Sequence, residues 1–241
     1  TSNDLGILGL RNNQAANIET KFGAANFSYN PTKSWTISGF GIFLNNKTNI
    51  QTNSVTDRTD NLPDGSTQEI TETKSESTIQ RSQQTLLKLS SSYVPSAKLH
   101  LDYDALIKVS DQKESQGLFS SLLSDIYTNK KQNPFSVNQN LNYYYTLNTK
   151  NVFAFEMQNL FQEEDPFYNA NLANQPFVLS GYDNGQVRND VTQNRFVKTN
   201  KTDVKFDYYY MVTPKSNINF TIGNTYSYQN FDSHIFQVLD N

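Results

Sequence analysis

The side chains that could do chemistry in this sequence are mostly acidic, and they come in two groups. Asp102 and Asp104 share one side of an alternating stretch. They lie about 6.5–7 Å apart along an extended backbone, close enough to act as paired carboxylates in acid–base work. Lys98 and Lys108 nearby allow a second reading, a water-filled wall lined with charge. His100 stands on the same side and His234 is the only other histidine; no Ser or Cys motif accompanies either, so no nucleophilic triad is offered. The run Glu163, Glu164, Asp165 could hold Ca²⁺ at a loop rim, since adjacent carboxylates repel unless neutralised. Calcium takes six or more oxygens, which three carboxylates do not readily supply, so a solvated loop start is the favoured reading of the run. Asp60 to Gly65 superficially has the look of a calcium loop. Leu62 stands where an oxygen ligand is needed, however, and Thr71 where the bidentate glutamate belongs. No glycine-rich phosphate loop occurs. The residues therefore define no catalytic set, metal centre or cofactor, and the expectation is a protein that is not an enzyme.

What must position these groups is a strand. From Leu99 to Val109 one face is wholly apolar, with Leu99, Leu101, Tyr103, Ala105, Ile107 and Val109. The other carries His100, Asp102, Asp104 and Lys108, with Leu106 the exception. A period of two over this length marks a strand between two unlike media.

Composition agrees. Hydrophobic residues make up 36% of 241, yet there are 14 Tyr and 16 Phe, and the mean hydropathy is −0.66. Apolar character thus sits in aromatics and alternating positions, which excludes a largely disordered chain. No run approaches the roughly 18 apolar residues of a membrane-spanning helix; that says nothing against a membrane barrel, which uses every second residue. A net charge of −3 without a basic cluster argues against nucleic acid as a partner. Cysteine is absent, so there are no disulfides or thiolate sites. Thr1-Ser2-Asn3-Asp4 has neither the basic start nor the apolar core of a signal peptide.

The alternation recurs in four hairpins, at about 18–44, 83–110, 137–161 and 196–229. Each has a tyrosine just before its tight turn: Tyr29, Tyr93, Tyr145 and Tyr210. Between hairpins lie long polar stretches, Asn45 to Thr78, Phe119 to Phe135 and Gln162 to Asn194, expected to be loops. In the second, Leu118, Leu122 and Ile126 are four apart and permit a short amphipathic helix. Short turns then fall at one rim and long loops at the other, as sequential up-and-down pairing of about eight antiparallel strands requires.

That arrangement, with Tyr29, Trp35, Tyr93, Tyr145 and Tyr210 as interfacial aromatics near the short-turn rim, matches a transmembrane β-barrel of the bacterial outer membrane. The triplets Tyr143–Tyr145 and Tyr208–Tyr210 could stack sugars, but they precede tight turns and suit an interfacial girdle better. Leu99, Leu101, Tyr103, Ala105, Ile107 and Val109 would face lipid, and the Asp-rich face the lumen. Both chain ends would lie on the loop side, outside the cell, whereas such barrels keep them in the periplasm. The 241 residues are accordingly expected to be part of a larger barrel. The same alternation also allows a soluble up-and-down β-barrel with its stripes turned inward on a small apolar ligand, or a barrel that only anchors a surface adhesin or secretion component.

Asn26-Phe-Ser-Tyr-Asn-Pro31, Leu86-Leu-Lys-Leu-Ser-Ser-Ser-Tyr93, Leu141-Asn-Tyr-Tyr-Tyr-Thr146 and Glu163-Glu-Asp-Pro-Phe-Tyr168 resemble the barrel region of Bacteroidetes-type TonB-dependent outer-membrane receptors. The resemblance spans nearly the whole chain, and each motif specifies wall rather than substrate. It implies a barrel of about 22 strands with a plugged lumen. Its partners would be a nutrient ligand held by the loops, an inner-membrane energy-transducing protein acting through a plug that this sequence does not contain, and a surface lipoprotein.

Overall fold

A computed structural model of the chain describes residues 15–63, 65–122, 125–173, 181–183 and 185–239. Within these the regular structure is strand throughout: β1 (Ala15–Thr32), β2 (Trp35–Asn61), β3 (Thr67–Ser96), β4 (Leu99–Ser120), β5 (Ile126–Gln132), β6 (Phe135–Thr146), β7 (Asn151–Glu164), β8 (Phe167–Leu172), β9 (Asn189–Thr213) and β10 (Ser216–Val238). No helix here is long and apolar enough to cross a membrane.

The ten strands make one antiparallel sheet that fills eight places. The lower part of β4 pairs with β6 and its upper part with β5. Likewise β9 pairs with β7 below and β8 above. Thus β5 continues β6, and β8 continues β7, each pair separated by an X-Pro step. At Asn133-Pro134 and Asp165-Pro166 the proline has no N–H to give the ladder, and it biases the residue before it. The continuous neighbours bridge both breaks: Ser110 N–H donates to the Pro134 carbonyl, and Arg195 N–H to that of Pro166, each at 3.0 Å. The Asp165 carboxylate ties the breaks together by accepting Asn133 N–H at 2.7 Å.

The short turns and the long extensions lie at opposite rims, as the repeat of hairpins requires. Two readings are corrected. The stretch from Asn45 to Thr78 is not a loop but the upper half of the β2–β3 hairpin, in unbroken register from Asn45 opposite Gln83 to Asn61 opposite Thr67. Its threonines favour extended backbone, and with both faces polar it lacks the apolar alternation by which a strand is recognised. The second stretch is likewise mostly strand, since β4 runs to Ser120 and β5 starts at Ile126. Leu118 and Ile126 are opposed across a hairpin rather than stacked on a helix; Leu123 and Ser124, between them, lie outside the described residues. In the third stretch β8 is strand, and residues 174–180 and Asn184 lie outside the description, as do Asp64 and residues 1–14, 240 and 241.

The two faces of this sheet differ sharply. Leu99, Leu101, Tyr103, Ala105, Ile107 and Val109 share a face with Tyr93, Leu89 and Leu87 of β3 and with Tyr145, Tyr143, Leu141, Val137 and Phe135 of β6. The register carries that face on to Phe153, Phe155, Met157 and Phe161 of β7, Tyr208, Phe206 and Val204 of β9, and Phe220 and Ile222 of β10. Large side chains of this face remain open even on interior strands: Leu87 is 46%, Leu89 42% and Val109 46% exposed. Most of the buried groups among the described residues lie on the other face, Thr192 being an exception, and they are largely polar. Its fully enclosed groups include Thr48, Thr78, Gln80, Ser82, Gln112, Glu114 and Asp207, against only Ile50, Val152, Ala170 and Val191 among apolar residues. One antiparallel up-and-down sheet of this kind is a barrel-like all-β fold.

Candidate functional site

The polar face is held by side-chain ladders that run across the strands. Glu114, on β4, accepts from Gln80 Nε2 at 2.5 Å and from Lys130 Nζ at 2.6 Å. Gln132 donates to Gln112, at 3.0 Å. On the far side Asp207 accepts from Lys205 at 2.8 Å and Thr221 at 2.5 Å, and Asp203 pairs with Lys201 and Thr225. A buried carboxylate is tolerated where cations and hydroxyls satisfy it.

The sequence candidates fall into place on this frame. Asp102 pairs with His100, at 2.9 Å. Asp104 accepts from Ser90 and faces Lys88 at 3.6 Å. Each aspartate thus has partners of its own. Glu163, Glu164 and Asp165 diverge. Glu163, on the apolar side, meets Lys198 at 2.8 Å; Glu164, on the polar side, accepts from Gln162 at 2.5 Å; and Asp165 serves the proline break. Among the described residues no group of three His, Cys, Asp or Glu side chains is placed to hold a metal ion.

Tyr29, Trp35, Tyr93, Tyr145 and Tyr210 all belong to the Leu99 face near the short-turn rim. Trp35 meets Tyr93 edge-on with centroids 6.4 Å apart and donates Nε1–H to Ser91 at 2.9 Å. Tyr143 and Tyr145 stack on one another, and Phe153, Tyr208 and Phe220 continue the layer across three strands at 5.1 and 6.2 Å. The rings thus lie side by side across neighbouring strands, and the Tyr208 hydroxyl donates to Asn151.

A feature unforeseen from sequence is a pocket of about 250 Å³ bounded by Ile42, Leu44, Leu86, Lys108, Ser136 and Gln162. It is lined mostly by apolar atoms, with Lys108 among its lining residues. Its signal lay in the unbroken run Ile37 to Leu44, which is apolar on both sides of the strand, where a wall strand needs only one.

At the upper rim two carboxylates titrate low. The Ser120 hydroxyl, and after it Lys74, holds Glu72 below the ordinary carboxylate range. The Gly185 N–H and the Gln186 amide do the same for Asp183. Asp183 also exchanges two hydrogen bonds with Gln237, at 2.8 and 3.0 Å, which clamps the β8–β9 loop to the end of β10.

Comparison with models of protein families finds none that matches the chain, and comparison with curated proteins finds no significant match.

Proposed function

We propose that this chain is the wall of a bacterial outer-membrane β-barrel that takes up a nutrient, in the manner of a TonB-dependent receptor. The observation that carries this reading is the inversion of the two faces. Apolar side chains such as Leu87, Leu89 and Val109 stay open on interior strands, while most enclosed groups of the other face are polar, an arrangement that supports an apolar face turned to lipid. A soluble barrel gains its stability by burying such stripes against each other. Here that arrangement would leave Leu87, Leu89 and Val109 wasted on water.

Dimensions support the reading. Leu99 to Val109 is ten steps of about 3.3 Å, which at a strand tilt of about 40° spans about 25 Å, the height of an outer-membrane apolar band. The aromatic girdle lies at one edge of that band. Beyond the other edge the β2–β3 and β4–β5 hairpins extend the wall into water, where they offer polar surface to a ligand. Uptake through so large a barrel depends on an inner-membrane motor and a plug, and a surface lipoprotein could deliver the ligand. The test is cellular: the native protein should fractionate with outer membranes, run heat-modifiably on gels, and support uptake that stops when the proton gradient is dissipated. A soluble native protein would refute the reading.

A further inference from the structure

Above the apolar band, four neighbouring strands carry a basic residue on the same rung of the outer face. Lys47 of β2 lies opposite Arg81 of β3, Arg81 opposite Lys113 of β4, and Lys113 opposite Lys131 of β5. Opposed residues of an antiparallel ladder project to one side with Cβ atoms about 4.5–5.5 Å apart, so the four form a row across the wall. Arg81, Lys113 and Lys131 are exposed and Lys47 is partly so.

Like charges set opposite one another weaken a sheet, and this row repeats the conflict at three successive pairings. Several cations elsewhere in the sheet sit beside carboxylates, as Lys21 with Glu19, Lys74 with Glu72, Lys130 with Glu114 and Lys198 with Glu163. In the row Lys113 has Asp111, at 3.6 Å. Among the described residues no ion pair reaches Lys47, Arg81 or Lys131; Glu19, opposite Lys47, turns to Lys21 instead. Followed further, the rung passes through Phe167 and Asn194 to His234, which Asp232 already partners at 3.0 Å. Along this rung the unbalanced positive charge thus lies on β2–β5.

We propose that this row binds the phosphates of an anionic lipid headgroup whose acyl chains lie along the apolar band below. The proposal rests on the membrane-wall reading. Lys113 is four residues beyond Val109, about 10 Å further up a tilted strand, and long basic side chains reach back toward an interface. A level row across four strands fits a headgroup layer, which is flat, better than a compact soluble ligand. Arg81 supplies the planar fork suited to phosphate, and the lysines supply point charges.

The test uses the full-length protein in detergent, titrated with bisphosphorylated lipid A and with its dephosphorylated form, bound lipid being read by native mass spectrometry. Two variants accompany it. One combines K47Q, R81Q, K113Q and K131Q; the other combines K47R, K113R and K131R. The wild type and the arginine variant should prefer the phosphorylated lipid, and the glutamine variant should bind it about a hundredfold more weakly, the order expected of several basic side chains at an anionic surface. Equal binding of the two lipids by wild type, undiminished binding by the glutamine variant, or full displacement by low-millimolar inorganic phosphate would each overturn the proposal. Outer-membrane fractionation is read in parallel. A wild type found outside the membrane refutes the wall reading, whereas an inserted wild type without phosphate preference refutes the row alone.

Discussion

A single side chain on this sheet is judged by which face it takes. Leu101→Arg or Tyr103→Arg places a cation in the outward band and should cost about 2–4 kcal/mol near the bilayer midplane, while Asp102→Arg, one residue along on the polar face, should cost much less. Urea titration of the protein folded into vesicles measures the difference; equal costs would mean that the faces do not meet different media. Asp183 offers a pH probe at the rim. Its carboxyl titrates below the ordinary 3.8, so the bonds it accepts from Gly185 N–H and the Gln186 amide are fully present above that value and are lost as the pH falls through the lower, folded one, while the backbone bonds to Gln237 do not titrate. Amide exchange at Gly185 should accelerate in that acid window, and Asp183→Asn should remove the pH dependence. A flat profile in the native chain would argue against the bond from Gly185 to the carboxylate.

Strands register through close contacts and through their breaks. Gly39 lies under the Phe27 ring, and a Cβ there would stand 2.7 Å from both the Lys88 carbonyl oxygen and the ring. Gly39→Val should therefore destabilise by about 1–3 kcal/mol through overpacking, seen as a lower urea midpoint; an unchanged midpoint would show that β1 and β2 approach less closely. At the proline breaks, Asp165→Ala removes the acceptor for Asn133 N–H. That should cost about 1 kcal/mol and speed exchange of the Asn133 amide. Sequence alternation located the lower halves of these strands well, because there one face is apolar and the other wet. It missed the upper halves for the same reason: from Asn45 to Asn61 both sides are polar, and the period of two leaves no trace in hydropathy. Leu118 and Ile126 were drawn toward a helix because a spacing of eight also brings residues face to face across a tight hairpin.

At the scale of the fold, the sheet is open among the described residues. β1 and β10 end it, exposed on both faces, and they do not pair with each other. A membrane barrel must satisfy every backbone N–H and C=O within the protein, so in the proposed setting both edges need further strands beside them. The ladder of Glu114, Gln80 and Lys130 was not legible beforehand, because which polar residues meet depends on register between strands distant in sequence. The pocket at Ile42, Leu86 and Lys108 depends on the same register. That Leu99 to Val109 place six apolar residues on one face, by contrast, was readable from that stretch alone, since alternation fixes which residues share a side; the medium that side touches is what the exposure of Leu87, Leu89 and Val109 now bears on.

Because the chain has no cysteine, one can be introduced singly at Leu101, Asp102, Asp104 or Ile107 of the full-length protein and labelled with a fluorophore. In vesicles containing brominated acyl chains, labels at 101 and 107 should be quenched by the lipid, while those at 102 and 104 should be quenched only by aqueous iodide. The opposite pattern, or lipid quenching at none of the four, would contradict an outward apolar wall and the transport function proposed from it.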